Sequence, residues 1–148
     1  MGEVAVEAIR EVGEGVVEVR VVKPRRVVVV VEPRALKRTI SALRERFGEV
    51  HLFSIVGADL RDRLELTYNL WLYGAKTHVM VKTSLPRDGA EVETVTDVIP
   101  GSALYEREVY EMLGVRFRNH PNLSRLFLPE DWPEGLHPLR KDARLEAL

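Results

Sequence analysis

Residues 50–83 read VHLFSIVGADLRDRLELTYNLWLYGAKTHVMVKT. Three strand-like runs lie in this stretch. Val50 to Val56 is mostly apolar. Leu64, Leu66, Tyr68, Leu70 and Leu72 alternate with Glu65, Thr67, Asn69 and Trp71. Thr77 to Thr83 follows after Gly74-Ala75. A period of two is the mark of a half-buried strand, because successive side chains point to opposite faces. Short polar connections between such runs favour an antiparallel meander.

Outward from that sheet, the flanks read as helices and further strands. Val27 to Val31 is continuously β-branched, which predicts a central strand covered on both faces. Pro33 suits the first helical position, and Leu36, Ile40, Leu43 and Phe47 then form a helical stripe ended by Gly48. Further back, Val17, Val19 and Val21 alternate with Glu18 and Arg20, a half-buried strand, and Lys23 to Arg26 is a turn. Val4, Ala5, Ala8, Ile9 and Val12 sit near helical spacing, with Gly13 able to close that helix. Beyond the meander, Leu85 to Gly89 reads as a loop and Val92 to Val98 as a short strand. A helix then starts after Pro100-Gly101, with Ser102 as its N-cap. The expected fold is α+β: an antiparallel or mixed sheet with helices on one face, followed by a long irregular C-terminal tail. The expected division is an α+β domain over residues 1–114 and an extended partner-binding tail over 115–148.

The tail sets the functional question. After Gly114 no helical or strand period can be followed, and Pro121, Pro129, Pro133 and Pro138 each remove a backbone donor and fix φ. Yet Phe117, Leu123, Leu126, Phe127, Leu128, Trp132, Leu136 and Leu139 are interleaved with Arg116, Arg118, Arg125, Arg140 and Lys141. Burying one such apolar side chain is worth roughly 1.5–3 kcal/mol, and long irregular segments are uncommon in compact domains unless they have a job. The expectation is that the tail lies on a foreign protein surface. The isolated chain would then be nicked there, and a partner would protect it.

Composition narrows the classes. The 148 residues carry 22 basic and 23 acidic side chains, a net charge of −1, so no global field draws nucleic acid or an anionic membrane. There is no Cys, which excludes disulfides, thiolate catalysis and Cys-ligated clusters within the chain. Met1-Gly2-Glu3 opens no signal peptide, and no apolar run approaches the ~18 residues of a membrane span. Any membrane association is expected to be indirect. The absence of Gln, with only three Asn beside abundant Glu, Arg and Val, is a thermophile pattern.

The candidate chemistry is sparse. Glu106 and Glu108 sit about 200° apart around a helix and share no substrate atom. They are expected to flank an apolar stripe of Tyr105, Val109, Met112 and Leu113. His120, His137 and Asp131 are the set a metal-dependent soluble enzyme would use, but their spacing matches no ligand motif. His120 is expected instead to fix the chain path by hydrogen bonds. Trp132 and Arg140 are the natural interface anchors, since buried Trp and Arg dominate interface energetics. Gly13-Glu14-Gly15 lacks the rest of any nucleotide loop.

Glu106-Arg107-Glu108, Met112-Leu113-Gly114-Val115, His120-Pro121-Asn122-Leu123, Arg125 and Pro138-Leu139-Arg140-Lys141-Asp142 form an ordered series. It resembles the small hydrophilic thirty-kilodalton subunit of respiratory complex I, also known as its C subunit. The same module occurs in related membrane-bound nickel–iron hydrogenases. Glu111 stands where that family usually has Asp, Leu113 replaces an aromatic, and Asn119, Asn122 and Ser124 also depart from the pattern. Residues 129–135 resemble the archaeal and hydrogenase-type members. The resemblance implies a non-catalytic subunit, free of cofactors and metals, that braces the large catalytic-type subunit on the cytoplasmic face of an energy-converting complex. Glu106, Arg107, Glu108, His120, Pro121, Arg125, Trp132, Pro138, Leu139, Arg140, Lys141 and Asp142 are the implied partner-binding residues. Arg140 is expected to pair with an acidic group of the partner.

Overall fold

A computed structural model describes residues 2–144. The elements run α1 Gly2–Val12, β1 Val16–Lys23, β2 Arg26–Val31, a 3-10 turn Pro33–Ala35, α2 Leu36–Phe47, β3 Val50–Asp59, β4 Leu64–Leu72 and β5 Thr77–Leu85. Then follow β6 Glu91–Glu93, α3 Ser102–Leu113 and β7 Arg116–Arg118. The main sheet has the order β1-β2-β5-β4-β3. β3, β4 and β5 form the expected antiparallel meander, and β1 pairs antiparallel with β2. The one parallel contact in this sheet, β2 with β5, makes it mixed.

The alternation read in residues 64–72 sets the two faces. Leu64, Leu66, Tyr68, Leu70 and Leu72 are fully buried, together with Val79 and Val81 of β5 and Val27 and Val29 of β2. Leu36, Ile40 and Leu43 of α2 and Ala5 and Ile9 of α1 complete this core. Among the described residues the other face carries no helix. There Glu65, Trp71, His78, Met80 and Lys82 are only partly covered. β2 is thus roofed on one side, not both as its unbroken Val run suggested: its register puts Val28 and Val30 opposite Met80 and Lys82.

Gly57 is where α3 reaches the sheet. It opposes Leu66 on the core face. A Cβ there would lie 2.3 Å from Leu113 Cδ1 of α3, so any side chain would force Leu113 to shift. Three expectations need correction around the helices. Only Glu91–Glu93 of the run to Val98 is a strand, and the rest turns so that Thr94 and Val95 abut α3. Gly101 occupies the N-cap position with no side-chain cap, and Ser102 is a buried residue of the first turn. Pro33 opens the 3-10 turn that leads into α2 rather than α2 itself.

The boundary at 114/115 runs through the core. Val115 is fully buried, Phe117 nearly so, and β7 pairs in parallel with β6. Period two was unreadable over the three residues of Arg116–Arg118 because a single inward side chain, Phe117, carries it. The irregular segment begins at Asn119, whose φ of 64° turns the chain away from β7. Residues 145–148 of the expected tail lie outside the described residues.

Candidate functional site

α3 is the hub of the site. Its buried face is Ser102, Glu106, Val109 and Leu113, spaced i, i+4, i+7, i+11. Glu106 therefore stands in the middle of that face, 0% exposed, and not on its flank. Its carboxylate accepts hydrogen bonds from the Thr94 hydroxyl and, at 3.0 Å, from the Val95 amide. Burial raises the Glu106 pKa, against the lowering effect of those donors and of His120 nearby. Glu106 is buried in the chain's own interior, while Glu108 is exposed.

From Asn119 the chain forms a strap back across α3, latched at four places. The first is His120, whose side chain is 1% exposed. Its Nδ1 accepts from the Asn122 amide at 3.0 Å, which leaves Nε2–H to donate to the Ala103 carbonyl at 3.0 Å. The second is Arg107, which donates to the carbonyls of Ser124 and Arg125. The third is Glu111, also buried. Its two carboxylate oxygens accept three successive strap amides, Leu126 at 3.1 Å, Phe127 at 2.8 Å and Leu128 at 2.9 Å. Burial pushes the Glu111 pKa up, but the three amides and Arg125 outweigh it and hold the group below its ordinary value. Arg125 folds the next turn by donating to the carbonyls of Pro129, Glu130 and Trp132. The Trp132 indole donates to Leu136 at 2.7 Å.

The fourth latch is the Pro138–Asp142 motif. His137 Nδ1–H donates to the Glu111 carbonyl at 2.9 Å, and its ring lies against Gly114. A Cβ on Gly114 would meet that ring at 2.7 Å, and φ is 80° there, so glycine is required twice over. The Leu139 amide donates to the Met112 carbonyl at 3.0 Å. Arg140 donates to the carbonyls of Leu113 at 2.6 Å and Arg87 at 2.9 Å, satisfying an orphan acceptor at the end of α3. The Lys141 amide donates to Asp59 Oδ2 at 2.8 Å, while Asp59 Oδ1 accepts from the Arg61 amide and from Arg87. Asp142 closes the cluster on Arg87 at 3.2 Å. The Lys141 amide, with the Arg61 amide and the Arg87 guanidinium against the cost of burial, holds the Asp59 pKa down at about 2.

The Arg140 guanidinium is engaged with two carbonyls of its own chain. The tail runs across α3 along bonds to its own chain. The structure does not bring His120, His137 and Asp131 together: both histidines bond to backbone groups, Asp131 is exposed, and no metal-holding group of three such residues exists among the described residues. Glu111, Asp59, Arg87 and His137 were missed as latch residues. Glu111 carried a signal, because it lies in the motif at a position of acidic type. Asp59 and Arg87 carried none, being 28 residues apart and paired only by the fold.

The strap's outer side is another matter. Phe127 is 63% and Leu139 58% exposed, and Leu104 on α3 is exposed too. Pro121 is also exposed and Pro138 half-buried. Polar groups of the strap thus turn inward while two of its large apolar side chains turn outward.

Fold and latch together define a class: a small α+β module that carries its own carboxyl-terminal strap. The chain belongs to the family of the respiratory-chain NADH dehydrogenase 30 Kd subunit, whose model matches residues 29–147. Among its relatives is the C subunit of F(420)H(2) dehydrogenase from Methanosarcina mazei, 38% identical over 131 residues, covering 87% of this chain and 82% of the relative. The C subunit of NADH-quinone oxidoreductase from Moorella thermoacetica is 34% identical over 119 residues, covering 79% of each. A solved chain from the membrane-bound sulfane sulfur reductase, an archaeal respiratory membrane complex, superposes with a TM-score of 0.84 at 30% identity. That match covers 99% of this chain and 87% of the other. The trypsin-resistant fragment (1–134) of Nqo5 matches with a TM-score of 0.66 at 25% identity, over 82% of this chain and 98% of the fragment. The two sequence relatives are each the C subunit of a larger enzyme, and the sulfane sulfur reductase is a membrane-bound complex. No helix among the described residues is long and apolar enough to cross a membrane.

Proposed function

We propose that this chain is a structural subunit of a membrane-associated, energy-converting oxidoreductase, bracing the large catalytic-type subunit on the cytoplasmic side. The complex is of the NADH–quinone type or of its archaeal membrane-bound relatives. One observation carries the reading. Five charged side chains of this region are spent on backbone groups of this same chain: Glu106 and Glu111 on amides, Arg107, Arg125 and Arg140 on carbonyls. Groups so engaged hold a shape, and the shape presents Phe127 and Leu139 to solvent. Apolar side chains this exposed on an ordered strap suit a partner surface. The match to a chain from a respiratory membrane complex over 99% of the length supports a strap path compatible with assembly.

The test is copurification of the large subunit with Phe127→Glu plus Leu139→Glu. Assembly is expected to weaken by roughly 2 kcal/mol or more, with the melting temperature of the free subunit unchanged. Arg140→Ala serves as the contrast: it strands two carbonyls and lowers the subunit's own stability by about 1–3 kcal/mol. Full assembly of the Phe127/Leu139 variant would refute the outward docking role.

A further inference from the structure

The uncovered face of the main sheet bears a second feature, remote in sequence from the strap. Lys23 of β1 pairs with Arg26 of β2, Arg26 with His78 of β5, His78 with Trp71 of β4, and Trp71 with His51 of β3. Directly paired residues share a face, so one side chain from each of the five strands forms a single transverse row. The Phe53 ring joins it, 5.1 Å from the His78 ring and 6.3 Å from that of His51. Phe53 is pushed into place by the bulge between Leu52 and Ser54 and is 41% exposed. His78 is fixed by a chain across three strands: its Nε2 meets Asn69 Oδ1 at 3.0 Å, and Asn69 Nδ2 donates to Ser54 at 2.9 Å.

Lys23, Arg25, Arg26, Phe53, Trp71 and His78 line one open depression. The three cations are exposed and enter no salt bridge among the described residues. The chain as a whole is net −1, so this is local charge and not a general basic surface. We propose that this row docks an acidic segment of a partner protein, which sets an apolar side chain in the Phe53–Trp71–His78 depression and carboxylates on Lys23, Arg25 and Arg26. Charge complementarity fixes the sign of the occupant. Trp71 and His78 are half-buried and only Phe53 is exposed, which suits a docked side chain better than insertion into a lipid surface. Three clustered cations also fall short of the extended basic track that a nucleic-acid backbone needs.

The experiment titrates the full chain with a blocked peptide, acetyl-DEFED-amide, followed by NMR of the Trp71 indole and the His51 and His78 rings. Short oligothymidylate and phosphatidylglycerol vesicles are the competing probes, and sedimentation reports self-association. The peptide is expected to shift all three rings, to weaken with added salt, and to bind roughly tenfold less tightly to the Arg25→Glu plus Arg26→Glu variant. No shift at these rings, tighter binding of the oligonucleotide or the vesicles, or shifts traced to a second copy of the chain would each overturn the proposal. Because the strap is untouched, failure here leaves the strap's docking role standing, and the converse also holds.

Discussion

Glu111 does at one residue what the strap does as a whole. Its two oxygens collect three successive amides that would otherwise be buried without acceptors. Glu111→Gln replaces one acceptor oxygen with a donor facing an amide. Exchange of the 126–128 amides should accelerate roughly 10–100-fold, the equivalent of about 1–3 kcal/mol for a broken charge-assisted bond. Hydrogen exchange read by NMR checks this. The sign of the pH dependence follows from the carboxyl shifts. Asp59, held at about 2, and Glu111, also lowered, stabilise the latched state fully above about pH 4, the unfolded carboxyl range. For Asp59 that stabilisation is lost as pH falls through about 2. Glu106 is opposite: burial raises its pKa, so its contribution is full below the unfolded value and lost as pH rises through the folded one. Acid therefore loosens the strap while relieving the cost of the buried charge at Glu106. Pepsin digestion between about pH 4 and pH 2 should cut within residues 119–144 before it cuts the sheet. Resemblance located Arg107, His120, Arg125 and Arg140, but not what they bind. Carbonyl acceptors leave no trace in a sequence, because every residue has one.

Elements differ in how far their period could be followed. The nine residues of β4 and the twelve of α2 each span enough repeats to be read directly. β6 and β7 have three residues apiece, too few for a period, and their parallel pairing joins segments on either side of α3. The parallel β2–β5 contact was equally silent, since local patterning says nothing of which non-consecutive strands meet. α3 shows a subtler failure. Glu106 was expected to flank the apolar stripe, yet it occupies the inner row because Thr94 and Val95 supply its donors. Packing at Gly57 gives the element-scale prediction. Gly57→Val drives a branched side chain into Leu113 and should cost about 1–3 kcal/mol of subunit stability. Thermal melting reads this directly, with the strap motif itself unaltered.

At the scale of the molecule, residues 119–144 are latched onto α3 and Asp59 and keep an apolar outer side. The greasy, proline-broken composition of residues 119–144 was legible as a demand for a surface. The identity of that surface was not, because hydrogen bonds to the chain's own α3 and to Asp59 meet most of the polar demand. What remains outward is Phe127 and Leu139. Hydroxyl-radical footprinting of the free subunit and of the assembled complex tests this account most directly. Phe127 and Leu139 should be labelled strongly in the free subunit and protected in the complex, with the 126–128 amides slow to exchange in both. Equal labelling of the two side chains in both states, or fast exchange of those amides in the free subunit, would contradict it.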